Sequence, residues 1–229
     1  MKNSFLLIVF LFSAFILDAQ RVNKVIIANN GMATSIAFLL DQNVIVNITQ
    51  DGKISEWGVD KYSDRGPDYY QRNLQPFEGK VEYYTDKDNE AFRGKVKYIG
   101  RTLISYYADD DKEFLVGKIK SIGSNKFDYY SNYDDAMLSG KMKMAGQLNV
   151  SYFPTYENEA LRGKVKNIGS VGFTYYSSMD DKSIIGKVKS MNGSSFVYAT
   201  LPEQNYPKGS LKSGQLTQVI NGIRYSIRN

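Results

Sequence analysis

Apolar residues and lysines alternate along this chain in a pattern that returns every 23 residues between positions 94 and 208. Each unit opens on a Gly-Lys pair, followed by an apolar residue and a second lysine. The glycines that open the units, counted as offset 0, are Gly94, Gly117, Gly140, Gly163 and Gly186. Because side chains alternate between the two faces of a strand, the apolar residue at +2 is predicted to face inward and the lysines at +1 and +3 outward.

A second strand is predicted in each unit by an apolar or aromatic residue at +10 and a tyrosine at +12, after a turn that contains glycine. The register that collects the strongly apolar residues on one face pairs +2 with +12 and +4 with +10. The first strand is expected to reach back to the apolar residue at −2, which puts the glycine at offset 0 on the apolar face.

This pattern predicts an all-β protein built from an antiparallel β-hairpin repeat with a 23-residue period. Because a single hairpin is marginally stable, neighbouring hairpins are expected to pair into an elongated twisted or coiled sheet or solenoid, with closure into a barrel as the alternative. The apolar face has to be shielded from water. Three arrangements would do this: the sheet curls on itself, the N-terminal segment packs across it, or two copies pack together.

The N-terminal residues 1–19 resemble a cleaved signal peptide in their pattern. Lys2 precedes an apolar run from Phe5 to Leu17 that only Ser13 interrupts. That run is too short to span a bilayer. We therefore expect an exported protein without a membrane span, which is secreted, periplasmic or held at the cell surface.

Three further regions follow the predicted signal. Residues 20–78 are predicted to form an N-terminal β cap and a loop, residues 79–212 the hairpin array, and residues 213–229 a C-terminal capping hairpin. The cap is expected to cover the first edge of the array, and the C-terminal hairpin its last edge. Asp51-Gly52 and Asn221-Gly222 each predict a hairpin turn in the outer regions.

The composition excludes several kinds of active site. The chain has no cysteine and no histidine, which rules out disulfides, thiolate nucleophiles, histidine acid–base steps and the usual zinc sites. Acidic runs such as 109–111 recur from unit to unit, whereas an active site is normally unique in a chain. We expect no catalytic residues, no bound metal and no cofactor, although the pattern leaves calcium binding by the acidic turns open.

The predicted outward face combines lysines with a second aromatic residue at +13. Rings stack on sugars and ammonium groups attract carboxylate or sulfate, so this face is predicted to bind an anionic polymer. The candidate binding residues are Lys95, Lys97, Tyr107, Lys118, Lys120, Tyr130, Lys141, Lys143, Lys164, Lys166 and Tyr176. The alternative interpretation is that outward lysines keep the sheet soluble and prevent edge pairing.

The leading hypothesis is a secreted, non-catalytic β-repeat protein that acts as a structural or interaction module at the bacterial envelope. Its expected partner is a glycan, another anionic polymer or a cell-surface protein. Nucleic acid is not expected, because acidic runs lie beside the lysines and the chain is exported. Two alternatives remain: an enzyme that acts on polysaccharide through Asp, Glu and Tyr, and a surface protein that self-associates through its apolar face. The oligomeric state is left open.

Overall fold

The computed structural model describes residues 20–32, 34–60 and 74–228. The predicted signal peptide and positions 61–73 of the predicted loop lie outside the described residues. Within them the only helical elements are two short 3-10 turns, Asp41–Asn43 and Glu90–Phe92, so the all-β prediction is confirmed. In this part of the chain, no helix has the length and apolar character needed to cross a bilayer.

The first four strands lie outside the repeat. They are β1 (Arg21–Ala28), β2 (Thr34–Leu39), β3 (Val44–Thr49) and β4 (Ile54–Val59). Consecutive strands pair antiparallel. The predicted turn at Asp51-Gly52 joins β3 to β4, where Gly52 has a φ of 80°.

The array is an 11-stranded antiparallel sheet in which the strands follow one another in chain order. Its strands are β5 (Val81–Tyr83), β6 (Val96–Ile99), β7 (Thr102–Tyr106), β8 (Ile119–Ile122), β9 (Asn125–Tyr129), β10 (Met142–Ala145), β11 (Leu148–Tyr152), β12 (Val165–Ile168), β13 (Val171–Tyr175), β14 (Val188–Met191) and β15 (Ser194–Ser195). The predicted hairpin repeat is confirmed. The sheet is open, since β5 and β15 are its two ends, so the alternative of a closed barrel is wrong.

The chain ends in four short strands. They are β16 (Val197–Tyr198), β17 (Leu211–Ser213), β18 (Thr217–Ile220) and β19 (Ile223–Arg228). β16 pairs with β17, and β19 pairs antiparallel with β18 and parallel with β1. A six-stranded sheet results, in the order β18-β19-β1-β2-β3-β4.

This six-stranded sheet covers the apolar face of the array. One hydrophobic core cluster contains buried residues of both sheets. The rings of Phe38 and Phe127 meet across it with centroids 5.1 Å apart, and the Tyr225 hydroxyl donates to the Ile168 carbonyl at 3.4 Å. Of the three covers considered from the sequence, the N-terminal segment is the one found, assisted by the C-terminal hairpin. The apolar face on which the self-association hypothesis depended is therefore already occupied.

Both terminal regions lie elsewhere than predicted. The first edge of the array is β5, and β1–β4 do not pair with it. The hairpin turn at Asn221-Gly222 is confirmed, with φ angles of 50° and 76°, but its strands extend the six-stranded sheet instead of closing the array. Burying the whole apolar face removes far more apolar area from water than covering an edge.

The predicted register within the hairpin is wrong by one residue. Tyr98 at +4 pairs with Leu103 at +9, whereas the predicted partner of +4 was the residue at +10. Tyr106 at +12 pairs with Ile119 at +2 of the next unit, and Lys120 is an extra residue in that ladder. This bulge shifts the phase of the strand. As a result +2 and +5 both face the core, while +4 faces outward.

The anchor glycines are turn residues and do not belong to strands. Gly117 has a φ of 73°, a left-handed conformation that glycine adopts without steric cost. The apolar residue at −2, such as Leu115, is also in this turn and not in a strand as predicted. It still packs against the core.

Candidate functional site

The lysines at +1 are partly or fully buried, and backbone carbonyls and aromatic rings hold them in place. We call Lys95, Lys118, Lys141, Lys164 and Lys187 the inner lysines, and the tyrosines at +12 the inner rings. The Lys95 Nζ donates to the Gly117 carbonyl of the next unit at 2.5 Å. It also lies 5.1 Å from the centroid of the Tyr106 ring.

The same contacts recur along the array. Lys118 and Lys141 donate to the Gly140 and Gly163 carbonyls at 2.5 and 2.6 Å. Lys187 donates to the Gly209 carbonyl, and Lys164 to that of Asn30 in the β1–β2 turn. Burial lowers the pKa of Lys95, Lys118, Lys141 and Lys164. The prediction that these lysines face outward is wrong, because strand alternation begins only at +2.

Lys141→Met is expected to destabilise the fold by about 1–3 kcal/mol. It removes a charge-assisted hydrogen bond and a cation–π contact while it keeps the aliphatic stem. Lys143→Met, two residues later on the exposed face, is the control: it removes a cation–π contact but no hydrogen bond to a carbonyl, and it should change the free energy of unfolding by at most about 0.5–1 kcal/mol. Urea titration of both variants compares them directly. Equal effects would show that the inner position has no special structural role.

The lysines at +3 occupy the outward face, as predicted. We call Lys97, Lys120, Lys143, Lys166 and Lys189 the outer lysines, and the aromatic residues at +13 the outer rings. The Lys120 Nζ lies 5.1 Å from the centroid of Tyr107 and 3.6 Å from Asp111. Its side chain keeps 52% of its surface exposed.

The outer rings are fixed between hairpins. The Tyr107 hydroxyl donates to the Phe127 carbonyl at 3.0 Å, and its ring meets that of Tyr129 edge to face with centroids 6.3 Å apart. Tyr130 and Tyr176 make the same bond to the next hairpin. These rings therefore support the outer lysines, and each is half-buried rather than open for stacking.

The candidate residues from the sequence thus separate into two groups. Lys97, Lys120, Lys143 and Lys166 form one column on the open face of the array, with Tyr107, Tyr130 and Tyr176 beneath. Lys95, Lys118, Lys141 and Lys164 do not join that column. Lys189 does belong to it, since it lies 5.3 Å over the Tyr176 ring, although it was not among the candidates. The regular +3 offset was sufficient to find it.

Carboxylates in the connecting turns bind backbone N–H groups. Asp134 accepts bonds from the Ser131 hydroxyl and backbone at 2.8 and 2.6 Å, and Asp135 accepts the corresponding pair from Thr155 of the next unit. These bonds hold the pKa of both carboxyls below its ordinary value. In the part of the chain described, no three acidic residues are grouped in a way that could hold a metal ion.

Two turns of the six-stranded sheet dock on the array between the inner lysines. The β3–β4 turn accepts bonds from the +2 backbone N–H groups of Ile119 and Met142, through the carbonyls of Gly52 and Gln50 at 3.0 and 2.7 Å. The β1–β2 turn repeats this arrangement two units further on. There Val165 and Val188 donate to Gly31 and Asn29 at 3.2 and 2.9 Å.

Each docked glycine lies against an inner ring. A Cβ atom on Gly52 would lie 2.2 Å from the Tyr129 hydroxyl, and one on Gly31 would lie 2.3 Å from the Tyr175 ring. We call the combination of an inner lysine, a +2 N–H and an inner ring a docking platform. Four units present a platform to the protein's own turns.

The first unit presents its platform to an open cleft of about 600 Å³. Lys95, Val96 and Tyr106 line one side, and Lys53 and Trp57 of the β3–β4 hairpin line the other. The sequence pattern did not predict this cleft. The single tryptophan of the chain was the one available signal, but nothing local places it beside the first unit.

Comparison with protein families, with curated proteins and with solved structures finds no match to this chain.

Proposed function

We propose that this protein is an exported, non-catalytic β-repeat module that binds an anionic polymer, such as an acidic glycan, along the column of outer lysines. The observation that carries the proposal is the regular series of exposed ammonium groups on one open face. Lys120, Lys143, Lys166 and Lys189 are all exposed. Each lies over an aromatic ring at 5.1 to 5.6 Å.

Pre-organisation supports this proposal. An aromatic ring beneath each lysine limits its rotamers, so less conformational entropy is lost when a ligand binds. One unit advances the sheet by two strands of about 4.8 Å, so the cations repeat about every 10 Å. The matching ligand is an extended polymer with an anionic group at a similar interval.

The neighbouring carboxylates restrict the ligand class. Lys97 and Lys120 lie 3.5 and 3.6 Å from Asp88 and Asp111, so the column is a mixed surface with a moderate positive potential. Double-stranded DNA carries about one charge per 1.7 Å of its axis, which is far denser than this column. A glycan with widely spaced carboxylate or sulfate groups is the better match.

The test replaces Lys120, Lys143, Lys166 and Lys189 by alanine and measures binding to a polyuronate and to a sulfated polysaccharide by calorimetry. At about 0.5 kcal/mol for each exposed pair, the four changes should weaken binding by about 2 kcal/mol, or roughly 30-fold. Binding by the unchanged protein should also fall as salt rises.

A matched control changes Lys80, Lys87, Lys112 and Lys182 to alanine. These lysines are also exposed but lie outside the column, and the net charge changes by the same amount. The control should keep its affinity within about threefold. Equal losses in both variants would mean that diffuse charge attracts the polymer, and the proposal would then fail.

A further inference from the structure

The open docking platform at the first unit differs in one respect from the four that are filled. At those four, a backbone carbonyl of a turn accepts the +2 N–H bond. Among the described residues no turn carbonyl accepts a bond from Val96 N–H. The rest of the platform is complete, since the Tyr106 hydroxyl bonds the Val96 carbonyl at 3.1 Å and the Lys95 ammonium lies over the Tyr106 ring.

The opposite end of the array is not equivalent. A cleft of about 770 Å³ lies beside Gly209, Ser210 and Leu211. The unit that begins at Gly209 has Asn221 at +12 in place of tyrosine, so it lacks the ring on which a turn glycine packs. The first unit is therefore the open platform that reproduces the complete docking geometry in the described part of the chain.

We propose that the cleft at the first unit binds a β-turn ending in Asp-Gly, carried by another protein. The turn would dock as Thr49–Gly52 does one unit along, with its glycine against the Tyr106 ring and a turn carbonyl on Val96 N–H. This inference concerns a different surface from the outer lysines and does not depend on the proposed glycan binding.

Glycine is required by the same geometry that the protein's own turns display. Gly52 and Gly31 have φ angles of 80° and 70°, and a Cβ on either would overlap the inner ring. The residue that lies against the ring therefore has to be glycine, whereas Gln50 and Asn29 reach the neighbouring platforms through their carbonyls from other positions of the same two turns.

Charge favours aspartate before the glycine. Lys53 and Lys95 both line the cleft, and the two like charges disfavour each other. In the docked turn, Asp51 pairs with Lys53 of its own hairpin at 3.0 Å, and its charge also opposes the burial that lowers the pKa of the inner Lys118. A carboxylate from a partner would act on Lys95 in the same way.

The probe is a cyclised peptide with the sequence of residues 45–56, which contains Asp51-Gly52 but ends before Trp57. Because the protein has one tryptophan and that residue lines the cleft, its fluorescence reports on the site. We expect a fluorescence change that saturates with a Kd of about 100 μM, in the range of small, transient interfaces. Calorimetry should give the same affinity.

Three arms make the test specific. A peptide with Gly52→Val should bind at least about tenfold more weakly, since its turn cannot approach the ring. In the protein, Ser55→Tyr fills the cleft from an exposed position and should weaken binding by a similar factor. Ser195→Tyr, the same change at an exposed strand residue far along the array, should leave binding unchanged.

Several outcomes would overturn the proposal. They are absence of peptide binding at millimolar concentration, equal affinity of the Gly52→Val peptide, and equal affinity of the Ser55→Tyr protein. A dimer of the protein alone that Ser55→Tyr abolishes would identify a second copy as the occupant. An acidic oligosaccharide that displaces the peptide would identify a glycan. Retained peptide binding in the outer-lysine variant would separate this site from the proposed glycan surface.

Discussion

Replacing Gly52 by alanine is expected to destabilise the protein by about 2–5 kcal/mol, one of the largest effects of any single methyl group in this fold. A left-handed conformation costs an alanine about 1–2 kcal/mol, and overpacking against a buried ring adds about 1–3 kcal/mol. The added Cβ would lie 2.2 Å from the Tyr129 hydroxyl, which is itself bonded to the Ile119 carbonyl. Urea denaturation of the variant measures the loss.

Gly222→Ala is the matched control for this change. Gly222 has a similar φ of 76°, but a Cβ there would have no atom within 4 Å. Its substitution should therefore cost only the conformational part, about 1–2 kcal/mol. Similar losses in the two variants would mean that the β3–β4 turn yields to the added group, and that the contact between turn and ring contributes little to stability.

Alkaline pH is expected to unfold the protein cooperatively through its inner rings. Burial raises the pKa of Tyr198 to about 12 and also raises those of Tyr106, Tyr129, Tyr152 and Tyr175. Since the folded pKa lies above the unfolded value of 10, the contribution of each tyrosine to the free energy of unfolding is fully present below pH 10. As the pH rises above 10, this free energy falls by up to about 1.4 kcal/mol per pH unit for each tyrosine.

Four of the inner lysines oppose this effect over a limited range. Burial lowers the pKa of Lys95, Lys118, Lys141 and Lys164 below the ordinary 10.5, so these four favour the fold as pH rises toward 10.5 and add nothing beyond it. Above that pH the lysines no longer offset the loss from the tyrosines. At a combined slope of about 7 kcal/mol per pH unit, the five inner rings by themselves lose more free energy than the usual stability of a domain by about pH 12.

Because the five inner rings are only part of the 18 tyrosines of the chain, the last part of the tyrosinate absorbance should appear together with the loss of the circular-dichroism signal of the β-sheet. Ionisation of all tyrosines with the β-sheet signal intact would contradict the prediction. Tyr152→Phe tests the assignment, because the Tyr152 hydroxyl is buried without a hydrogen-bond partner in the described structure. This variant should be as stable as the original protein near neutral pH, and its alkaline unfolding should have a shallower slope.

The sequence predicted the hairpin repeat because the signals for it are local. The burial of the +2 residues, from Val96 to Val188, and of the +10 and +12 positions followed from alternation and is confirmed. The strand register could not be predicted from alternation in the same way. The bulge at +3 changes the phase, and both the predicted and the observed pairings place apolar residues in the core.

The candidate site was half predictable for a related reason. The outer lysines lie within strands, so alternation gave their orientation. The inner lysines precede their strands, and their position depends on the carbonyl of a glycine 22 residues later. For Lys164 it depends on Asn30, which is 134 residues away in the chain. No pattern within one unit carries that information.

The sequence by itself determined the all-β class, the 23-residue unit and the face that each strand buries, because side-chain alternation and turn chemistry act over a few residues. The tertiary structure alone decided which elements cover the apolar face, which lysines stay in solvent and where a docking platform is left open. These outcomes depend on contacts between distant parts of the chain, and the burial of the whole apolar face brings those parts together.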